Sequence, residues 1–382
     1  MLIDITRLVD RHLKHRLPTG VDRVSLAYLF HYRSSAKAMV RFGGRWLVFA
    51  ESQSMPLFDA LHEDSDKARR TIRHQIARAY AGWGRQDSAS LFLNTGHSGL
   101  DQPGYAIQLK RRRLRPVFFL HDLIPISHPE YCRPGEADKH HRRLDTMLAT
   151  GCGLIVNSQA TKGDLVAYAE NFKRDLPPVV VAPLAPGRLP DPGYSPPLDR
   201  PYFLVLGTVE PRKNHLLLLH LWRQLVAQHG ASAPTLVVIG QRGWECEQVV
   251  DLLERCEALK HHVIELPRCS DQTLSTWLRH ARALLFPSFV EGFGMPLVES
   301  LAHGVPVVAS DLGVFREVGG DVPEYLDPLD GRGWHEMILD YSSPVSDKRD
   351  AQCRRLSSFR PTTWGQHFEI VDAFLDQVLS KK

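Results

Sequence analysis

The sequence predicts an α/β protein: two Rossmann-like doubly wound domains in tandem, facing a central cleft, with a C-terminal helix. Three observations carry that expectation. Short apolar runs alternate with amphipathic stretches along the chain, the pattern of parallel sheets covered by helices. A length of 382 residues suits two domains better than one core. Residues 185–201 contain six prolines and two glycines, which cannot form a regular element and interrupt the alternation. The expected division is a first domain at 1–185, a linker at 186–201, a second domain at 202–360 and the terminal helix at 361–382.

In chain order, the first half offers strands at 2–5, 46–50, 91–94, 117–120, 154–157 and 179–182, mostly short runs of branched or aromatic residues. Helical periodicity fills the intervals at 21–32, 67–83, 136–149 and 158–171. After the linker, strands are expected at 202–206, 236–239, 263–266, 283–286 and 305–309. A helix at 214–229 stops at Gly230, a usual C-terminal cap, and 364–379 reads as a last amphipathic helix. Domains of this kind bind ligands beyond the carboxyl ends of their strands.

Composition narrows the function. With 43% hydrophobic and 24% charged residues, the chain is neither disordered nor fibrous. No run approaches the roughly 20 apolar residues of a membrane span. The start, Met1-Leu2-Ile3-Asp4-Ile5, is acidic too early for a signal peptide, and the six cysteines form no C-x-x-C pair. A reducing, cytoplasmic setting is expected. The net charge of +4 hides an asymmetry: residues 1–200 carry 29 Lys and Arg against 20 Asp and Glu, and residues 201–382 carry 18 against 23. A basic first half calls for an anionic partner. Its densest run, Lys110 to Arg115, reads either as a solvated loop or as a peripheral contact with the inner face of the cytoplasmic membrane. Nucleic acid ranks lower, because no aromatic residues interleave the charges.

Two segments of the second half carry the chemistry. The first, Gly207-Thr-Val-Glu-Pro-Arg-Lys-Asn-His215, leaves a buried strand and enters a helix. Gly207 permits a tight turn and close ligand approach. Arg212 and Lys213 then sit at the sheet edge, a guanidinium fork beside a compact ammonium, a pairing suited to a diphosphate. From this segment alone a solvated turn reads equally well. The second is Phe286-Pro-Ser-Phe-Val-Glu-Gly-Phe-Gly-Met-Pro-Leu-Val-Glu299. Pro296 suits the first turn of a helix, and the glycines leave the amides of Phe293, Gly294 and Met295 open to an anion at its positive end. Glu291 lies in the loop and Glu299 is expected in the helix's first turn, so two carboxylates can reach hydroxyls on opposite sides of the phosphates.

These residues resemble family 4 retaining glycosyltransferases of the GT-B fold, especially those acting on bacterial surface polysaccharides. The resemblance lies in Glu291-x7-Glu299 enclosing Gly-Phe-Gly-Met-Pro, in Glu210-Pro-Arg-Lys-Asn214, and in residues 302–310 and 313–317. In the first half it lies in Phe119-Leu-His-Asp-Leu-Ile-Pro125. It implies that Arg212 and Lys213 hold the donor's diphosphate and Glu299 the ribose hydroxyls. By the same resemblance Glu291 contacts the transferred sugar, with His121 beside that sugar. It implies a nucleotide-sugar donor, GDP-mannose before others, and a glycan or lipid-linked glycan acceptor. Many relatives carry a double-glycine loop after the first strand; here that place reads Thr19-Gly20-Val21-Asp22-Arg23, with Gly20 opening a helix and Arg23 available to an anion. Asp122 reads first as a cap.

No metal-ligand spacing stands out, so no cofactor is expected, and His140-His141 and His261-His262 read as solvated surface. Two rivals remain from the sequence: a sugar-nucleotide epimerase of similar architecture, and a non-catalytic binder of anionic surfaces or nucleic acid. The second would not need Glu291 and Glu299 beside phosphate donors.

Overall fold

The computed structural model describes residues 1–16, 18–82 and 91–380, and these divide into two compact units. The first takes in Met1–Ser127, Gly135–Leu184 and the C-terminal segment from Thr363; the second takes in His128–Pro134 and Ala185–Thr362.

The first unit is built on a seven-stranded sheet of β1 (Leu2–Asp4), β2 (Lys37–Phe42), β3 (Arg45–Val48), β4 (Leu91–Asn94), β5 (Arg115–Leu120), β6 (Gly153–Val156) and β7 (Val179–Val181). The strand order is β3-β2-β1-β4-β5-β6-β7, parallel throughout except for the β2–β3 hairpin. That hairpin turns at Gly43 and Gly44, both at positive φ (54° and 74°), as a two-residue turn requires. The interior strands are buried and apolar, with Phe92, Phe118, Leu154 and Val156 in one continuous core.

The second unit repeats the plan with β8 (Tyr202–Leu206), β9 (Thr235–Ile239), β10 (Val263–Leu266), β11 (Leu284–Phe286), β12 (Val307–Ser310) and β13 (Glu324–Leu326). Its order, β10-β9-β8-β11-β12-β13, is wholly parallel. In chain order this is the 3-2-1-4-5-6 arrangement of doubly wound nucleotide-binding sheets, and the first six strands of the first sheet follow the same order. Trp222, Trp334 and Tyr341 fill the core on one face of the second sheet.

Several segments depart from the sequence expectations. β2 and β13 were not anticipated, nor was the helix Thr6–Leu13 that follows β1. The expected helix at 67–83 runs Asp66–Ala81, its last expected residue, Trp83, lying outside the described residues. The terminal helix Trp364–Ser380, set apart from the sequence as its own segment, packs on the first unit. There the ring nitrogens of His367 pair with the Pro183 carbonyl at 3.0 Å and the Tyr28 hydroxyl at 2.9 Å. Segment 128–134 packs on the second unit, where Tyr131 stacks on Phe289 with centroids 5.4 Å apart and accepts from the Trp244 indole at 3.1 Å.

The basic run also divides. Arg112 lies near the Trp46 ring at 5.8 Å, and Arg115 donates to the carbonyls of Val378 and Leu379 on the terminal helix. Lys110, Arg111 and Arg113 stay exposed. Among the described residues no helix is long and apolar enough to cross a membrane.

Candidate functional site

The strand order of the second sheet reverses direction between β8 and β11, and the loops leaving those two strands are the two segments singled out by sequence. A crevice at such a switch point is where open parallel sheets bind their ligands. After β8 the chain turns through Gly207 (φ 136°), forms a short 3₁₀ turn at Pro211–Lys213, and passes Asn214 in the left-handed region into the helix His215–His229. The Asn214 side chain donates to the Pro328 carbonyl at 2.9 Å, fixing that conformation. Gly240, at the end of β9, approaches closely: a Cβ there would fall inside the van der Waals envelope of the Gly207 carbonyl oxygen. Gly240→Ala is therefore expected to cost about 1–3 kcal/mol through overpacking against backbone, read as a lower urea midpoint with unchanged slope.

Arg212 and Lys213 do not stand open to solvent. Arg212 bonds Glu210 at 2.5 Å and Glu291 at 2.6 Å, and the Lys213 ammonium donates to the other Glu291 oxygen. Lys213 also sits 4.8 Å above the centre of the Phe286 ring, and the Ser288 hydroxyl donates to Glu291 at 2.8 Å. One carboxylate thus bridges both cations, and its side chain is only 7% exposed.

The electrostatics follow from that burial. Desolvation resists ionisation of Glu291, but the charges of Arg212 and Lys213 outweigh it and hold the carboxyl down at about 2. Burial pushes the Lys213 ammonium below its ordinary range, and Arg212 beside it pushes the same way. Burial raises Glu210, against the pull of Arg212 and Lys213. His215, just behind the turn, is held neutral: burial and then Lys213 bring it to about 3, and neither ring nitrogen has a hydrogen-bond partner.

The loop after β11 ends at Gly294 (φ 96°), which caps the helix Met295–Ala302 in the left-handed region. A Cβ at Gly294 would lie 2.7 Å from the Phe315 ring, so this position takes glycine on both counts. Phe293 is buried at 5% exposure, and the amides of Phe293, Gly294 and Met295 lie at the helix's positive end. Glu299 is the fifth residue of the helix rather than part of its first turn. It is buried, and its carboxylate accepts from the Gly187 amide at 3.2 Å.

The structure thus brings Gly207, Arg212, Lys213, Glu291, Phe293, Gly294, Met295 and Glu299 onto two loops and one helix of the same sheet. Sequence reasoning missed the supporting residues Glu210, Ser288 and Phe286. All three fall inside the quoted motifs, and the signal was available in their polarity or in their place at a strand end.

His121 ends β5 of the first unit, in the wall of a cavity of about 580 Å³ that also takes in the loops after β1 and β4. Its ring donates from Nε2 to the Thr95 carbonyl at 2.7 Å, and burial lowers its pKa to about 4. His97 packs beside it and His140 beside His97, and burial lowers the pKa of both. His140 is not surface, as expected from sequence, but 3% exposed; His262 is also buried, at 6%. Asp122 lines the cavity and accepts from the Ile124 amide at 3.1 Å, a capping contact. Gly20 and Arg23 sit in the first turn of the helix Gly20–Tyr32 and are not among the cavity's lining residues. Their neighbour Asp22 is the active member of that turn, accepting from Thr19 and from both Arg7 and Arg11.

Residues 192–322 match the family Glycosyl transferases group 1. Among curated relatives the chain is similar to the O-antigen chain mannosyltransferase B of Escherichia coli, 34% identical over 163 residues, covering 43% of this chain and 42% of the relative. It is also similar to the O-antigen chain mannosyltransferase RfbU of Salmonella typhimurium, 33% identical over 140 residues, 36% of this chain and 37% of the relative. The serotype-specific mannosyltransferase WbdA of Escherichia coli matches at 28% over 231 residues, 55% of this chain and 27% of the relative. The matches span less than half the length of each of these relatives. In fold the chain is similar to Anabaena HepE, solved with UDP-glucose, at a TM-score of 0.66 and 16% identity over 98% of this chain and 99% of that one. The sucrose-phosphate synthase of Thermosynechococcus elongatus matches at 0.65 and 14%, over 100% and 99%.

Proposed function

We propose that the chain is a retaining, metal-independent glycosyltransferase that transfers mannose from GDP-mannose to a surface-polysaccharide acceptor, an O-antigen or other lipid-linked glycan. The observation that carries this reading is the Arg212–Glu291–Lys213 cluster at the switch point of the second sheet, with Glu291 in the loop that leads into the helix Met295–Ala302. The mannosyltransferase relatives support the sugar and the acceptor class.

In the reaction the bond between the anomeric carbon and the donor's diphosphate breaks, its electron pair staying with the diphosphate. Arg212, Lys213 and the amides of Phe293, Gly294 and Met295 meet that charge, already oriented before the bond lengthens. The diphosphate takes over the two cations that Glu291 holds, and the released carboxylate turns to the sugar, where positive charge develops. The acceptor oxygen bonds to the anomeric carbon from the face the diphosphate leaves, and its proton passes to the leaving phosphate oxygen. His121, neutral at physiological pH, positions the sugar and is not the base. Glu299 holds the ribose hydroxyls, so Glu299→Ala should weaken binding of free GDP with little change in kcat, measured by calorimetry and by initial rates.

The test is a panel of nucleotide sugars with and without a mannose-containing glycan acceptor. GDP release from GDP-mannose only when acceptor is present is expected. Sugar isomerisation without acceptor would favour an epimerase, and neither reaction with any donor would favour a non-catalytic binder.

The exposed Lys110, Arg111 and Arg113 give the first unit a peripheral contact with anionic membrane. Binding to vesicles containing anionic lipid should fall steeply as salt rises, because exposed charges are screened over about 8–10 Å near physiological ionic strength. Neutralising those three residues should weaken vesicle binding while leaving turnover of a short soluble acceptor unchanged. Wild-type protein that ignores such vesicles at low salt would remove the membrane from the reading.

A further inference from the structure

The first sheet has its own switch point, between β1 and β4, and the cavity containing His121 opens there. Five arginines line it: Arg7, Arg11, Arg16, Arg41 and Arg143. Nearby carboxylates do not use up their donors. Asp22 accepts from Arg7 and Arg11 at 2.7 Å each, but also from the Thr19 amide at 2.7 Å and hydroxyl at 2.6 Å, which spends its lone pairs. The Arg41 Nε stands 3.4 Å from Asp4, and Arg143 stands 3.8 Å and 4.0 Å from Glu136 and Asp101. The Nε atoms of Arg41 and Arg143 are both buried without a hydrogen-bond partner. Buried donors without partners are uncommon in folded proteins and point to a missing acceptor.

The third unpartnered group in this wall is of the opposite kind. The His140 ring donates from Nε2 to the Asp122 carbonyl at 3.0 Å, which leaves Nδ1 as an acceptor, buried and unpaired. Guanidinium forks match the tetrahedral oxygens of a phosphoryl group, and an imidazole acceptor matches a hydroxyl carried next to it. Apolar side chains, among them Val9, Leu13, Val21, Val40, Phe42 and Pro125, complete the wall. The arginines and the imidazole suit a charged, hydroxyl-bearing group, and the apolar side chains leave room for a hydrocarbon part beside it.

We propose that this cavity binds a phosphoryl group of the acceptor, so that the chain carries two phosphate sites at equivalent positions of its two sheets. The proposal rests on reading the first unit as the acceptor-binding one. Its ligand is the phosphate or diphosphate that joins a glycan to its carrier, and the arginines fix the distance from that group to the reacting hydroxyl.

The experiment is calorimetric titration of the full chain with methyl phosphate and with geranyl diphosphate, after saturation with GDP or UDP to fill the site on the second sheet. Both probes should bind the saturated wild-type protein. Arg143→Gln and Arg16→Gln should each weaken binding about tenfold or more, the scale of one charge-assisted hydrogen bond. Retained nucleotide affinity in the arginine variants shows that they are folded, and Arg16, being exposed, is the safer of the two. Tighter binding of geranyl diphosphate supports a lipid-linked diphosphate, and equal binding supports a simple phosphoryl ester. Failure of both probes to bind, or wild-type affinity in both arginine variants, overturns the proposal. Loss of nucleotide binding with the phosphate probes still bound overturns the donor-site reading and leaves this one standing.

Discussion

Glu291→Ala is expected to be the most damaging single change in the molecule. Removing one partner of a buried ion pair typically costs about 3–5 kcal/mol, because the remaining charge stays desolvated and unpaired. Here two cations lose the same carboxylate, leaving Arg212 and Lys213 side by side. Chemical denaturation at neutral pH should show the loss directly. Its pH dependence has a definite sign. The Glu291 carboxyl is held at about 2 in the folded chain, below its unfolded value, so its stabilisation is complete above the unfolded value and disappears as pH falls toward 2. The gap between wild type and Glu291→Ala should therefore close across that acidic window. A gap that persists unchanged at the acid end would mean that the ion cluster is not its source.

The same variant separates binding from chemistry. In the proposed reaction the diphosphate takes Arg212 and Lys213 over from Glu291, so removal of the carboxylate should leave affinity for free nucleoside diphosphate equal to wild type or tighter, while kcat falls. Equal losses of affinity in Glu291→Ala and Glu299→Ala would contradict their assignment to the sugar and the ribose.

Lys213→Ala should lower kcat/KM by roughly 10²–10³, the scale of one lost oxyanion donor. The fold should survive, because Glu291 keeps its bond to Arg212 and the hydroxyl of Ser288. Activity within about threefold of wild type, roughly 0.7 kcal/mol, in a folded protein would remove Lys213 from the site.

The sequence made most of the sheet legible because buried parallel strands are short apolar runs, as at 202–206 and 154–157. It hid β2, whose Lys37 and Arg41 dilute the apolar pattern, although the Gly43-Gly44 pair behind it is a hairpin signal. β13 is a three-residue edge strand without full burial, and such strands leave little periodicity to read. The residues proposed for the donor side are legible in the sequence because they lie within two short segments. The arginine cavity was not, because Arg7, Arg41 and Arg143 come from three distant stretches that only the strand order brings together. The same limit explains His140. Its neighbour His141 and the charges around it suggest surface, whereas the helix Glu136–Thr150 turns His140 inward against His97. The pairing of Glu291 with both cations also lies beyond sequence, since motif spacing does not say which charges meet.

The central claim is that the loops after β8 and β11 form a nucleoside-diphosphate site whose cations Glu291 holds until the ligand arrives. Calorimetric titration of GDP and UDP into wild-type, Lys213→Ala and Glu291→Ala protein tests it most directly. Binding by wild type, loss in Lys213→Ala and undiminished affinity in folded Glu291→Ala are expected. Equal affinity in wild type and Lys213→Ala, or binding abolished in folded Glu291→Ala, would contradict it.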